Sequence, residues 1–443
     1  MKRILKKGGC LLTLSMLFSA SLFAQTGDSL RSATDNDANV LAFSLDEAKK
    51  YAIEHNRTIQ NASYDVKKAE AAKWKAIASM LLQVSGEADY MNMLGYKMNM
   101  MGGEIPMPPY IDLGLTASFT VSGSQIVGVK VAKVAKELSE VGVGKTDQAI
   151  TSNLEKSYVN ILALEKTVEL LNRNLENLGK IHDMTLNAVK AGVAEQNDAD
   201  QISIQVASMK SAVNSTERAI EVLYNTIRLL TGVSADKEIV LTQKLEDVIN
   251  PEAILALMGT ELDLRRNFDY QLQVKSTELA EKQVTLSKMS YVPTLTAFYS
   301  FDKKKYLSDD DGMNMTPPNT VGLRLNVPIW SSGSRWADVR SAKMDYEKSL
   351  NTLDDTELQL GIQEKQLRYN LTSAFENFQI QSENIDVMQR VFNSNAEKFK
   401  YGTISSMQLT TSSTELVSAQ NTYINALLDM VSAHVELRNL LNK

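Results

Sequence analysis

The sequence predicts an α+β membrane protein in which four β-strands per chain join a barrel shared by several copies, continued by long coiled-coil helices. Three observations carry that expectation. The chain aligns with itself at an offset of 210 or 211 residues, four segments of about ten residues alternate apolar and polar side chains, and the longest stretches carry heptad seams.

The self-alignment places Asn56 on Asn267, Val84 on Leu295, Gly123 on Gly333, Ala132-Lys133 on Ala342-Lys343, Gly192 on Gly402 and Leu230 on Leu440. An offset held that long means two copies of one unit. Each reads as long helix, strand, loop, strand, very long helix, turn, long helix. The first copy, 44–250, is expected to hold helices near 44–80, 124–191 and 196–231 and strands near 82–92 and 112–122. The second, 251–443, is expected to hold helices near 261–290, 334–401 and 406–442 and strands near 293–302 and 320–330.

Ahead of the repeats, Lys2, Arg3, Lys6 and Lys7 precede an apolar run from Cys10 to Phe23, with small residues at Ala20 and Ala24. That is the pattern of a secretory signal peptide over 1–24, followed by an extension over 25–43; the run is short for a membrane anchor. Cys10 is the sole cysteine, so the mature chain has no thiol for a disulfide or a metal. Removing the four basic residues takes the formal charge from −6 to about −10, a balance that argues against nucleic acid as a partner. No later segment is long and apolar enough for a transmembrane helix.

The strands alternate as bilayer-crossing strands do. Val84, Gly86, Ala88 and Tyr90 oppose Gln83, Ser85, Glu87 and Asp89, and Leu113, Leu115, Ala117, Phe119 and Val121 oppose Asp112, Thr116, Ser118 and Thr120. In the second copy Leu295, Ala297, Tyr299 and Phe301 oppose Thr294, Thr296, Ser300 and Asp302, with Phe298 interrupting the polar side. Val321, Leu323, Leu325, Val327 and Ile329 oppose Gly322, Arg324 and Asn326. Two hairpins on a soluble core would alternate too. Aromatics gathered at the strand ends and long Gly-, Pro-, Asn- and Asp-rich connections over 93–111 and 303–320 favour the barrel. Four strands leave open edges that hydrocarbon cannot satisfy, so several chains must share one barrel. Two chains would give eight strands around a filled interior; three would give twelve around a passage, so the trimer is preferred.

The helical stretches step in heptads. Leu154, Ile161, Val168 and Leu175 return through Val206, Val213, Ile220 and Ile227, and Leu371, Phe378, Ile385, Phe392 and Phe399 return through Leu416, Tyr423, Met430 and Leu437. These are seams of antiparallel coiled-coil hairpins. With no proline from Ser124 to Ala191, that helix extends about 100 Å at 1.5 Å per residue.

This order of parts resembles the TolC-type outer membrane efflux proteins. The resemblance rests on Leu45 to Asn56, Tyr291-Val292-Pro293, Pro328-Ile329-Trp330 with Gly333, the tips Ala191-Gly192-Val193 and Tyr401-Gly402-Thr403, and Leu229-Leu230-Thr231-Gly232. It implies a homotrimeric channel-tunnel with a 12-stranded barrel in the bacterial outer membrane and a helical tube crossing the periplasm. It further implies docking to a periplasmic adaptor that joins an inner-membrane pump, through tip residues Ala191, Gly192, Val193, Ala194, Gly402, Thr403, Ile404 and Ser405. Asp198, Asp200 and Gln408 would line the periplasmic constriction, and 233–258 would be the equatorial region. The chain departs from the family at Leu82, where a proline is common, at Gln408 and Thr410, which replace acidic residues, and at Ile404, where some members carry arginine. A gate held by that arginine is therefore not expected.

Asp198 and Asp200 have a second reading, since carboxylates in a first helical turn interact favourably with the helix N-terminus. No other constellation suggests chemistry. His55, His182 and His434 are scattered, Asp309-Asp310-Asp311-Gly312 lacks the ligand spacing of a calcium loop, and no glycine loop for nucleotides occurs. Met91, Met93, Met98, Met100, Met101 and Met107 crowd the first outer connection, where thioethers suit soft metals and also serve as adaptable packing. No enzyme activity, metal or cofactor is expected. Drugs, metal ions, bile-type amphiphiles and secreted polypeptides are all open as cargo, and a coiled-coil surface protein is the rival from another class.

Overall fold

The computed structural model describes residues 40–100, 103–248, 251–307 and 317–443. The signal peptide, most of the extension and the acidic run at 309–311 lie outside them. In chain order the elements are β1 (Val40–Phe43), α1 (Leu45–His55), α2 (Arg57–Ala78), β2 (Gln83–Met91), β3 (Lys97–Met100), β4 (Gly103–Pro106), β5 (Tyr110–Val121), α3 (Gly123–Lys190) and α4 (Gln196–Thr231). There follow β6 (Glu238–Leu241), α5 (Leu245–Val248), α6 (Pro251–Met258), α7 (Phe268–Lys288), β7 (Thr294–Tyr306), β8 (Asn319–Asn326), α8 (Ser334–Lys400) and α9 (Ser406–Leu441).

The first correction to the sequence reading concerns the lead helices. The helix expected over 44–80 is two helices, because Asn56 is extended at ψ 126 and uses its side chain to start the second. Its Oδ1 accepts from the N–H groups of Thr58 and Ile59, while its Nδ2 donates to the Leu230 carbonyl at 2.7 Å. Asn267 does the same in the other half, so the helix expected from 261 begins at Phe268. Its side chain accepts from Asp269 and Tyr270 N–H and donates to the Leu440 carbonyl at 2.9 Å. Each asparagine thus caps a helix start and pins the end of the returning helix.

The strands form one antiparallel sheet in the order β2-β5-β7-β8, leaving β2 and β8 as edges. The register puts Gln83, Ser118, Phe298 and Gly322 in one row and Val84, Ala117, Tyr299 and Val321 in the next. β7 runs longer than expected, to Tyr306, and β8 stops at Asn326 instead of reaching 330, before Pro328 removes a backbone donor. The first outer connection is not all loop: β3 and β4 pair within it as a short hairpin. A parallel pair, β1 with β6, ties the segment before α1 to the stretch after α4, each strand only four residues long.

The long helices make two hairpins, α3 with α4 and α8 with α9, and α9 also packs on α3 and α4. α3 spans 68 residues and α8 67, each about 100 Å at the α-helical rise. Apolar seams fill their interfaces, with Leu154, Tyr158, Ile161, Leu371, Leu427 and Leu437 in the largest cluster. Beside α1, Glu155 on α3 is 7% exposed and receives Arg438 of α9 at 2.6 and 2.9 Å and Lys49 of α1 at 2.5 Å. Burial alone would raise its carboxyl, but the hydrogen bonds from Arg438 and Lys49 prevail and hold it below the usual carboxylate range.

Candidate functional site: the sheet faces and the hairpin tips

On the sheet, the two faces differ in chemistry and both matter. The apolar face is uncovered along its whole width: Leu113 is 50% exposed, Val321 82% and Leu323 77%. A patch so continuous is not tolerated against water and marks contact with lipid or protein. Across the opposite face polar side chains meet between strands, Thr120 with Thr296 at 3.0 Å and Asp112 with Lys304 at 3.6 Å. Phe298, which interrupts the polar pattern, lies over Gly322, where any β-carbon would fall within 2.7 Å of its ring. The Arg324 guanidinium sits 5.4 Å from the centre of the same ring, so the aromatic is covered on a polar surface by a cation. No helix among the described residues is long and apolar enough to cross a membrane. The exposed apolar face of the sheet is a surface suited to lipid.

At the far end, both tips turn by the same device. Gly192 and Gly402 take φ of +74 and +66, the left-handed conformation that closes a helix. The next N–H reaches back to the last turn, Val193 to the Ala188 carbonyl and Thr403 to the Lys398 carbonyl, both at 3.0 Å. Ser405 then caps α9 by accepting from the Gln408 N–H. Glu195 starts α4, with the Asp198 carboxylate accepting its N–H at 3.4 Å.

Of the expected tip residues, Val193 is 79% exposed. Ala191, Gly192, Gly402, Thr403 and Ser405 are exposed, whereas Ala194 and Ile404 are half-buried. Ile404 packs beside the cluster of Ile181, Ile202, Phe392 and Leu409 that holds the two hairpins together near their ends. A cleft of about 460 Å³ opens between the tips, walled by Ile181, Met184, Val193, Phe399 and Ile404, with Asp198 on its polar side.

The three residues expected at the constriction are placed differently from one another. Asp200 is exposed and accepts from the Gln196 amide at 2.8 Å, and the Gln408 side chain is exposed. Asp198 is half-buried and accepts the hydroxyl of Ser406, a residue only 3% exposed. That bond ties the start of α4 to the start of α9. Ser406 was not singled out from the sequence because Ser405 before it already supplies the helix cap, and nothing local says that the second serine turns to another hairpin.

Higher on the same seam Asn174 donates to Gln420 at 3.2 Å, and both are buried. The lower seam between hairpins is thus a mixture of apolar knobs and polar layers. Among the described residues no group of three His, Cys, Asp or Glu side chains is gathered to hold a metal ion.

Comparison with known proteins gives consistent findings. Residues 261–443 match the family model described as outer membrane efflux protein. The pyoverdine export outer membrane protein OpmQ of Pseudomonas aeruginosa is 24% identical over 277 residues, covering 57% of this chain and 57% of that relative. The alkaline protease secretion protein AprF of the same organism is 23% identical over 178 residues, 40% of this chain and 37% of its own length. The chain thus spans about half the length, or less, of the curated relatives it matches. The solved structure of CusC, described in terms of folding and transmembrane channel formation, superposes with a TM-score of 0.74 at 14% identity, covering 90% of this chain and 92% of that one. At that identity the likeness establishes the fold.

Proposed function

From the membership of residues 261–443 in the outer membrane efflux protein family, and from a fold shared with its channels across 90% of the chain, we propose that this protein is an outer-membrane conduit for export. Three copies close a 12-stranded barrel, their helical hairpins line up as a tube through the periplasm, and the tips dock to an adaptor that joins an inner-membrane pump. The observation that carries this reading is the sheet. It has one apolar face laid bare and two open edges, β2 and β8, whose free N–H and C=O groups find partners in hydrocarbon only if further copies close the ring. Head-to-tail contact of β8 with the β2 of the next copy satisfies both edges, and such heterologous contacts make closed rings.

The helices support the same closure. α4 leaves Ile204, Val222 and Leu229 exposed and α8 leaves Leu358, Tyr369 and Ile380 exposed, on flanks with no neighbour in a single chain. At the tips, Val193 and the cleft beside it offer an adaptor an apolar foothold, with Ala191, Gly192, Ala194, Gly402, Thr403, Ile404 and Ser405 around it. Asp198, Asp200 and Gln408 become three-fold rings around the axis, where carboxylates concentrate cations and repel anions. The conduit would export small molecules or other cargo. Polypeptide secretion or metal-ion efflux would use the same conduit, and one matched relative carries each of the names pyoverdine export and alkaline protease secretion.

The test is sedimentation of the detergent-purified protein followed by conductance in planar bilayers. A trimer that conducts is expected, and Asp198→Asn with Asp200→Asn lowers its preference for cations, more so at low salt where screening is weak. A stable folded monomer overturns the architecture. A conducting mutant trimer with an unchanged reversal potential reduces the two aspartates to helix caps.

A further inference from the structure

We propose that the outer end of the sheet carries a thioether site for a soft monovalent cation such as Cu(I) or Ag(I), built from Met91, Met93 and Met107. The chain has 19 methionines in 443 residues, yet six of them fall between 91 and 107. That segment contains neither cysteine nor histidine, and its one carboxylate, Glu104, is occupied by Lys97 at 2.9 Å. Its own free ligand chemistry is chiefly thioether, which disfavours calcium, magnesium and zinc while suiting closed-shell soft ions.

The backbone brings the three residues to one junction. Tyr96 N–H donates to the Met93 carbonyl at 3.0 Å across a turn whose middle residues, Leu94 and Gly95, have φ of 50 and 79. Met107 N–H then donates to the Tyr96 carbonyl at 3.2 Å, so residues 93 and 107 bracket Tyr96 where the β3–β4 hairpin leaves the sheet. Met91 ends β2 opposite Tyr110, whose hydroxyl donates to its sulfur at 3.3 Å. That bond orients the thioether and leaves a second lone pair for a metal. Packing does not account for the composition. Met93 and Met107 are only half-buried, Met91 is 44% exposed, and Leu94 in the same turn is 91% exposed, so the hairpin encloses no core that needs filling.

A separate observation points to a cation. Asp89 and Asp112 stand directly opposite each other one row of the polar face below Met91 and Tyr110. Lys304 reaches one oxygen of Asp112, and the other is buried without a partner. Two carboxylates against one lysine leave negative charge beneath a set of neutral ligands, which compensates an ion that thioethers bind without neutralising. The site is independent of the cargo assigned to the conduit.

The protein purified in detergent, in chloride-free buffer, is titrated with silver nitrate by calorimetry and by NMR of methyl-labelled methionine. Saturable uptake of about one Ag(I) per chain is expected, with the methyls of Met91, Met93 and Met107 shifting together and no response to Zn(II) or Ca(II). Met93→Leu weakens binding by about tenfold, and the Met91→Leu, Met93→Leu, Met107→Leu variant abolishes it; leucine keeps the side-chain volume, so the hairpin is retained. Absence of saturable uptake, or equal uptake by the triple variant, overturns the proposal. If that variant does not fold, the wild-type spectra decide, since shifts confined to other methionines also overturn it.

Discussion

The two halves of the chain solve one junction in two ways. In both, an asparagine, Asn56 or Asn267, starts a helix and pins the carbonyl of the last turn of the returning helix. Beside it the halves diverge. In the first, α4 ends at Gly232, with φ of +75 and its backbone so close to the His55 carbonyl that a β-carbon would lie 2.7 Å from that oxygen. In the second, α9 ends at Asn442, also left-handed, whose side chain donates instead to the Arg266 carbonyl at 2.7 Å. The difference shows what is fixed: two elements must be held end to end, and either close backbone contact or a reaching amide does it.

Charge separates the halves further. The 210-residue offset places Glu155, buried with Arg438 and Lys49, on Lys365, which is exposed. Among the described residues the triad has no counterpart at the repeat-related position, and it joins α1 and α3 of the first half to α9 of the second.

The largest test of this asymmetry is Glu155→Ala. It strands two cations that are each about a quarter exposed, and about 3 kcal/mol of stability is lost in guanidinium unfolding of the purified protein, against less than about 0.5 for Lys365→Ala. Equal effects would mean that the buried triad contributes no more than a surface lysine.

The pH profile sharpens the point. Because the folded Glu155 carboxyl lies below its ordinary 4.5, its contribution is present above that pH and is lost as pH falls through the folded value. Burial, and then Arg438, lower the neighbouring His434 from 6.5, so its contribution too is present above 6.5 and is lost on acidification. Wild type should thus lose melting temperature in two stages on acidification. Glu155→Ala should shrink the stage below 4.5, to which Glu137 and Glu169, also held low by lysine partners, still contribute.

Asn56→Ala and Asn267→Ala test the shared device. Each removes a cap and leaves a carbonyl without its donor, at about 2 kcal/mol, and the two losses should match in the same denaturant series. A loss at one position only would break the equivalence of the halves. The smallest effects lie at the divergent partners. Gly232→Ala costs about 1–2 kcal/mol through positive φ and the His55 oxygen, and Asn442→Ala about 1 kcal/mol through the lost bond to Arg266. Adding the missing feature, as in Asn442→Gly, should be close to neutral.

How far the sequence announced these features depends on the range over which each is encoded. Alternation in β2, β5, β7 and β8 was legible because residue type repeats every second position. The tips were legible because glycine is the residue that takes φ of +74 or +66 cheaply. The breaks at Asn56 and Asn267 were written over, although the self-alignment had paired those two residues. Neither glycine nor proline interrupts 44–80, and an asparagine reads as a weak helix former unless its cap is seen. The strands β1 and β6 are too short for periodicity to reveal, and β3–β4 was hidden by a glycine-, proline- and methionine-rich composition typical of loops. The bond from Ser406 to Asp198 spans 208 residues and leaves no local trace.

The strand order has a consequence for how the molecule is made. β5 bonds along its whole length to β7, so that Thr116 meets Ser300 and Val121 meets Leu295, residues separated by the entire first coiled-coil hairpin. A chain emerging from its N-terminus has β2 and β5 in hand long before the partner of β5 exists. Pairings between such distant segments are slow to close, because the intervening chain must be ordered before the contact returns any energy. Contacts within each helical hairpin are closer in sequence and carry a smaller closure cost than the β5–β7 pairing. Until β5 and β7 pair, each two-strand ribbon has unsatisfied margins, which are templates for pairing with other copies.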